Sequence, residues 1–190
     1  MGELSILIAE DEVLERLDLK EMLEEAGYTI CGQASNGNQA VELAASLEPD
    51  LAILDVKMPG LDGFEVAQML HLKNIPVLFL TAYSQVNFVK RAEKVNVYGY
   101  LVKPITERDL LPAVEIAYAR WKEMQSVRAK LLRTENELKA QKLIAHAKSI
   151  IVLQRGISEN DAHQLLLRMA MSSRLTLPEM ASRIIQEGKK

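Results

Sequence analysis

Cysteine is almost absent from this 190-residue chain, since Cys31 is the only one. A lone thiol excludes an intramolecular disulfide and a metal site built from several cysteines. Long hydrophobic runs are also missing, because the longest, such as residues 75–80, are far shorter than the roughly 20 residues that span a bilayer. The first residues lack a basic segment and a cleavage site, so we expect no signal peptide, no membrane partner and a cytoplasmic location.

Glycine and proline are absent from residues 113–155, so a helix that starts at Thr106 can run almost unbroken to Gly156. Within it, apolar residues recur every seven positions beside a poorer companion row, which predicts a weak coiled-coil seam. The apolar row is Met124, Leu131, Leu138 and Ala145, and the companion row is Val127, Thr134 and Gln141. We interpret the segment as a linker helix able to dimerise, with a merely solvated helix as the alternative.

The charge is distributed unevenly along the chain. Residues 1–118 carry 9 Lys and Arg against 19 Asp and Glu, whereas residues 119–190 carry 14 against 7, within a net charge of −3. An acidic first part and a basic second part favour two modules with different partners, the second being a candidate for binding a polyanion. Two solvated surfaces that happen to differ are the alternative.

Residues 1–118 alternate short apolar runs with amphipathic segments, a pattern typical of a parallel sheet with helices on both faces. The strand-like runs are residues 4–9, 28–34, 51–54, 76–80 and 97–102. Helical spacing lies between them in residues 13–23, 40–47, 64–70 and 86–92. Gly27 is expected to end a helix, and Asn36 and Asp62 are expected to cap helix N-termini.

Two short helices are predicted after Gly156. Ser158 and Thr176 each begin a capping pattern, and apolar residues follow both at helical spacing. With the end of the long helix, they predict a three-helix cluster with a small core, in which we place Ala170 and Met171.

Polar residues stand at the ends of four of the five strand-like runs. They are Glu10 with Asp11, Asp55, Thr81 and Lys103. The carboxyl ends of parallel strands meet at one crevice, where three carboxylates would suit Mg²⁺. A hydroxyl and an ammonium suit the oxygens of a phosphoryl group, and one carboxylate would attack phosphorus to form an acyl phosphate. The alternative is that these are unrelated loop residues.

Five separated motifs in residues 1–118 resemble the receiver domain of two-component response regulators. The motifs are Glu10-Asp11, Asp55 with Met58-Pro59-Gly60, Asp62-Gly63, Thr81-Ala82 and Lys103-Pro104. The resemblance implies a flavodoxin-like, doubly wound sheet of five parallel strands. It also implies that Asp55 accepts a phosphoryl group from a histidine kinase, and that the chain is not a dedicated enzyme.

The resemblance further implies a role for each matched residue. Asp11, Asp55 and the backbone carbonyl of Lys57 would bind Mg²⁺, and Glu10 would do so directly or through water. Glu10 stands where the family often has an aspartate. Lys103 would neutralise phosphoryl charge, beside a cis peptide bond to Pro104. The switch residues implied are Thr81, which moves toward the phosphoryl group, Ala82, which leaves access to it, and Tyr100, which changes rotamer.

Residues 140–187 resemble the ANTAR family, three-helix RNA-binding modules of transcription antiterminators, most specifically in the Ala-Met-Ser-Ser-Arg run 170–174. The resemblance implies binding to RNA stem-loops. Lys148, Arg155, Arg168 and Arg174 are candidates for phosphate contacts. No aromatic residue follows Trp121, so His163 or arginine planes would have to stack on bases. For each basic residue, a solvated helix face is the alternative.

Together these features predict a receiver domain in residues 1–118, a coiled-coil linker in 119–143 and an ANTAR-like domain in 144–190. The leading hypothesis is a response regulator that dimerises on phosphorylation and controls transcription antitermination. A DNA-binding regulator with a helix-turn-helix is one alternative, although the turn 172–175 lacks glycine. A protein-binding adaptor with a helical dimerisation module is the other.

Overall fold

A computed structural model of the chain describes residues 4–82 and 97–187. The chain divides into two compact units between Met124 and Gln125. No helix within the described ranges is both long and apolar enough to cross a membrane. The segment at residues 86–92, for which the sequence predicts a helix, lies outside the described residues.

The first unit is built on a parallel sheet of five strands in the order β2-β1-β3-β4-β5. The strands are β1 (Ser5–Ala9), β2 (Thr29–Ala34), β3 (Leu51–Asp55), β4 (Val77–Thr81) and β5 (Gly99–Val102). Every residue of β3 and β4 is buried, as expected for central strands covered on both faces. This strand order is that of flavodoxin-like folds, so the predicted fold class is confirmed.

Three described helices connect the first four strands: α1 (Val13–Glu25), α2 (Gly37–Leu47) and α3 (Gly63–Leu72). The predicted caps are confirmed. Asn36 accepts a hydrogen bond from the backbone N–H of Gln39, and Asp62 forms a capping box with Glu65. Gly27, just past the end of α1, adopts a φ of +85°, which favours glycine.

The core of this unit lies on both faces of the sheet, because successive strand residues point to opposite sides. Leu7 and Ala9 of β1 pack with α2 and α3, whereas Ile6 and Ile8 pack with α1 and a helix that follows β5. That helix, α4, spans Glu107–Arg155, and Gly156 follows it with a φ of +64°. The long unbroken helix predicted from the lack of glycine and proline is therefore confirmed.

The second unit contains α5 (Glu159–Ser173) and α6 (Leu177–Glu187) with the end of α4. Ser158 caps α5 as predicted, since its hydroxyl accepts from the N–H of Asp161. The three helices bury a small apolar cluster of eight residues: Ala147, Ile151, Ala162, Leu166, Ala170, Met180, Ala181 and Ile184. The prediction that Met171 belongs to this core is wrong. Neighbouring residues on a helix point about 100° apart, so with Ala170 buried Met171 is 71% exposed.

Candidate functional site

The carboxyl edge of the sheet gathers polar side chains from several strands. Glu10 directly follows β1, Asp55 ends β3, Thr81 ends β4, and Lys103 directly follows β5. Glu10, Asp55 and Thr81 are all buried. Parallel strands of similar length end at the same edge, so residues far apart in sequence share one crevice there.

Lys103 forms the centre of this cluster. Its Nζ donates to Oε2 of Glu10 at 2.7 Å and to Oδ2 of Asp55 at 2.8 Å. It also lies 2.5 Å from Oε2 of Glu15 on α1. Burial alone would lower the pKa of Lys103, but its carboxylate partners, Asp55 first, raise it above its usual value. The ammonium group therefore stays charged and compensates carboxylates that have little contact with water.

Glu10 is fully buried, and its pKa is raised above the ordinary value. Its pKa is raised from 4.5 to about 7, mainly by burial and also by the charge of Asp55, while the hydrogen bond from Lys103 opposes the rise. Its Oε1 accepts from the N–H of Glu12 at 3.3 Å. A carboxylate with a raised pKa beside two others is a position at which a bound cation would favour the ionised form.

Asp55 is held by its own loop as well as by Lys103. Its Oδ1 accepts from the backbone N–H of Lys57 at 3.2 Å. The start of α3 lies against it, because a Cβ at Gly63 would come within 2.3 Å of the backbone oxygen of Asp55. Only glycine fits such an approach, which explains why a glycine follows the capping residue Asp62.

The carboxylates of Glu10, Asp11 and Asp55 fit a divalent cation. One oxygen from each lies within 4.8 Å of the others, with Asp11 exposed to solvent. These oxygen donors suit Mg²⁺, because the ion binds few carboxylates and keeps several waters, for which the solvent-exposed side of the pocket leaves room. An open cleft of about 510 Å³ adjoins them, lined by Asp11 and residues 56–59 and 62, so Lys57 borders the same space. The acidic pocket thus offers the kind of donors that Mg²⁺ prefers.

Of the residues implied in switching, Thr81 is buried, whereas Ala82 and Tyr100 are exposed. The N–H of Lys103 donates to the backbone oxygen of Thr81 at 2.9 Å, and Thr81 itself is 3% exposed. Ala82 is exposed, and Tyr100 on β5 is 51% exposed. The peptide bond between Lys103 and Pro104 is cis, which confirms that expectation.

Two residues that contact the site were not predicted from the sequence. Glu15 pairs with Lys103, and Arg16 donates from Nη1 to the backbone oxygen of Glu10 at 2.5 Å. Both lie in the first turn of α1, where charged residues usually indicate a solvated face. Their closeness to the acidic pair Glu10-Asp11 is the one sequence signal that points to them.

Comparison with known proteins assigns both units. The family model described as response regulator receiver domain matches residues 6–115, and the model for the ANTAR domain matches residues 132–185. The transcriptional regulatory protein PdtaR of Mycobacterium tuberculosis is 42% identical over 182 residues, covering 95% of this chain and 89% of that protein. The chain belongs to the response regulators with an ANTAR output domain. These are regulatory proteins and not enzymes.

Solved structures of receiver domains resemble part of this chain. The signal receiver domain of a modulated diguanylate cyclase from Desulfovibrio desulfuricans is 37% identical, with a TM-score of 0.61. It covers 65% of this response regulator, and 99% of that chain is matched. The receiver domain of the putative response regulator NarL from M. tuberculosis is 27% identical, with a TM-score of 0.59 over 63% of this chain and 98% of that one.

In the ANTAR domain, the basic candidates lie on the last turns of α4, on α5 and just after α5. Lys148 of α4 pairs with Glu159 of α5 at 2.5 Å, and this contact lowers the pKa of Glu159. Arg155 ends α4 and is exposed, as is Arg168 on α5, whereas His163 is half-buried. Arg174 follows α5 with a left-handed backbone, at a φ of 55°, and is exposed. Three arginines therefore face solvent, while Lys148 already has a carboxylate partner.

Proposed function

We propose that this response regulator is phosphorylated on Asp55 by a histidine kinase, and that phosphorylation controls binding of RNA stem-loops by the ANTAR domain. The observation that carries the proposal is the buried Asp55 carboxylate, bonded to Lys103 and close to Glu10 and Asp11, in a chain that continues into an ANTAR domain. A carboxylate so placed has a cation partner for incoming charge and an open cleft for a donor.

The chemistry proposed at Asp55 is nucleophilic transfer. A carboxylate oxygen of Asp55 bonds to phosphorus while the bond to the kinase imidazole nitrogen breaks. The electron pair of that bond stays on the nitrogen, which takes a proton from solvent. Mg²⁺ held by Glu10, Asp11, Asp55 and the backbone carbonyl of Lys57 would supply positive charge to the phosphoryl oxygens. Lys103 donates a hydrogen bond to one of those oxygens, and the small Ala82 leaves room at the site.

The switch follows from the added charge, about −1.5 to −2. The hydroxyl of Thr81 turns toward the phosphoryl group, and Tyr100 moves inward to follow it. Tyr100 is 51% exposed in this structure and so can become more buried, which supports the proposal. The change at Thr81 and Tyr100 then biases the surface around β5 toward association of two copies.

Dimerisation of α4 is the proposed link between the two domains. Met124, Leu131 and Leu138, at spacings of seven, are each at least half exposed, as is Val127 of the companion row. Apolar side chains in a heptad row become buried when they pack against the same row of a second copy, and this burial stabilises a dimer. Thr134 and Gln141 weaken the seam, so the dimer depends on a further contribution from phosphorylated receivers.

RNA binding by the ANTAR domain would rest on its basic residues. Lys148, Arg155, Arg168 and Arg174 supply phosphate contacts, and His163 offers a plane for stacking. Two domains in a dimer hold paired stem-loops, which prevents a competing terminator hairpin from forming. Because nascent transcripts are the target, we place the protein in the cytoplasm. We assign the receiver to residues 1–118, the linker to 119–143 and the RNA-binding domain to 144–190.

Filter binding tests this proposal with an RNA hairpin and a duplex DNA of equal length, each measured at several salt concentrations. The protein is treated with acetyl phosphate and Mg²⁺ or left untreated. We expect the treated protein to prefer the hairpin, with an affinity that falls as salt rises. Preference for duplex DNA would instead support a helix-turn-helix regulator, and no binding to either would support a protein-binding adaptor.

A further inference from the structure

The third carboxylate on Lys103 belongs to Glu15, which is not one of the motif residues of the site. Its Oε2 lies 2.5 Å from Nζ of Lys103. The three carboxylates differ in their access to water: the exposed fraction of the side chain is 0% for Glu10, 11% for Asp55 and 41% for Glu15. Glu15 is therefore the only one of the three with a ready alternative partner in solvent.

An ammonium group carries three hydrogens and faces three carboxylates in this structure. To donate to a phosphoryl oxygen, Lys103 must break its contact with one of these carboxylates. Release of Glu10 would leave a buried carboxylate with less compensation, which is costly. Asp55 is the proposed acceptor of the phosphoryl group. Water can replace Lys103 at Glu15, so release of Glu15 costs the least.

We propose that Glu15 is a positioning residue that holds Lys103 in the unphosphorylated state and is displaced from it by a phosphoryl oxygen. This inference rests on the proposed phosphorylation of Asp55. Glu15 opposes phosphorylation in two ways, because it competes for the ammonium group and adds a negative charge where an anionic donor arrives. A neutral side chain at this position leaves Lys103 bound to Glu10 and Asp55 but removes the competitor.

The test is the initial rate at which the full chain is labelled by acetyl phosphate in Mg²⁺ at low ionic strength. Glu15→Gln is expected to accelerate labelling about two- to fivefold, the range of a partly exposed ion pair. Glu15→Ala is a second variant that keeps the helix and should act in the same direction. At about 0.5 M salt the rates of wild type and variants should converge, since exposed charges are screened.

Asp18→Asn is the matched control, because Asp18 is an exposed carboxylate one turn further along α1. It should leave the rate of labelling unchanged. A loss of structure would slow labelling, so acceleration shows that Glu15 opposes phosphorylation of the folded protein. Unchanged or slower labelling of both Glu15 variants, or equal acceleration by Asp18→Asn, would overturn the role of Glu15. Failure of the wild-type protein to become labelled would instead refute the proposed phosphorylation itself.

Discussion

The Nζ atom of Lys103 lies 2.8 Å from Oδ2 of Asp55, although 48 residues separate the two in sequence. The strands that carry them, β5 and β3, are not neighbours, since β4 lies between them. Adjacent strands are about 4.8 Å apart, so the pair requires a side chain that reaches across a whole strand. Lysine has that reach, and it joins the edge of the sheet to the acidic pocket near its centre.

Replacement of Lys103 by methionine should impair both stability and phosphorylation. The apolar stem remains, but buried Glu10 and Asp55 lose their common cation. We expect the free energy of unfolding to fall by about 2–4 kcal/mol at neutral pH, as for other broken buried pairs. Labelling by acetyl phosphate should slow at least about tenfold. Denaturant titration and labelling rates measure the two effects.

Lys20→Met is the control, because the ion pair of Lys20 on α1 is exposed. This variant should lose less than about 1 kcal/mol of unfolding free energy. An equal loss in both variants would contradict the prediction.

Glu10 should make the stability of the protein depend on pH in the absence of divalent cations. Its pKa is about 7 in the folded protein against an ordinary value of 4.5, so the folded state binds more protons between these values. The free energy of unfolding should therefore fall as pH rises from about 4.5 through 7, by about 2–3 kcal/mol. Glu10→Gln should remove this part of the fall, and Mg²⁺ should reduce it in the wild type. Identical pH profiles for wild type and variant would show that Glu10 is not the group responsible.

Gly63 should tolerate no side chain. A Cβ there would lie 2.3 Å from the backbone oxygen of Asp55 and 2.9 Å from Cα of Val56. We expect Gly63→Ala to lower the free energy of unfolding by about 3 kcal/mol, and to slow labelling because the loop after β3 must shift. In Gly27→Ala the new methyl group meets nothing within 4 Å, so only the φ of +85° opposes it and the loss should be about 1 kcal/mol. Thermal unfolding compares the two, and equal losses would count against steric contact with Asp55.

Leu131 should matter for association and not for folding. It is 58% exposed on α4, in the heptad row with Met124 and Leu138. Leu131→Ser is expected to weaken dimerisation of the phosphorylated protein at least about tenfold while the melting temperature of the monomer stays nearly unchanged. Leu132→Ser is the control, since Leu132 is a similarly exposed leucine one residue off the row. Sedimentation velocity measures the masses, and equal effects of the two variants would argue against the seam.

The sequence predicts those parts of the molecule that depend on local pattern. Buried strands appear as short apolar runs, so the position of Asp55 at the end of β3 follows from residues 51–55. Asn36 and Asp62 cap helices through residues three positions ahead, a relation visible in sequence. The cis bond before Pro104 followed only from resemblance to receiver domains.

Two kinds of feature were harder to predict: which residues of a helix face the core, and which residues distant in sequence are in contact. Met171 looked apolar enough for the core, but the helix turns it to solvent beside buried Ala170. Glu15 reaches Lys103 only because α1 and the end of β5 meet at the same sheet edge, and no periodic pattern marks such a contact. A charged residue on an amphipathic helix gives the same sequence signal whether it is solvated or paired.

The most direct test of the central claim is the site of phosphorylation. Wild-type protein, Asp55→Asn and Asp62→Asn are incubated with labelled acetyl phosphate and Mg²⁺, and the acyl phosphate on each is quantified. Asp62→Asn is the control, because asparagine caps a helix as well as aspartate does and the residue lies in the same loop region. We predict full labelling of wild type and of Asp62→Asn, with none on Asp55→Asn. Labelling that persists in Asp55→Asn would show that another residue accepts the phosphoryl group and would contradict the account.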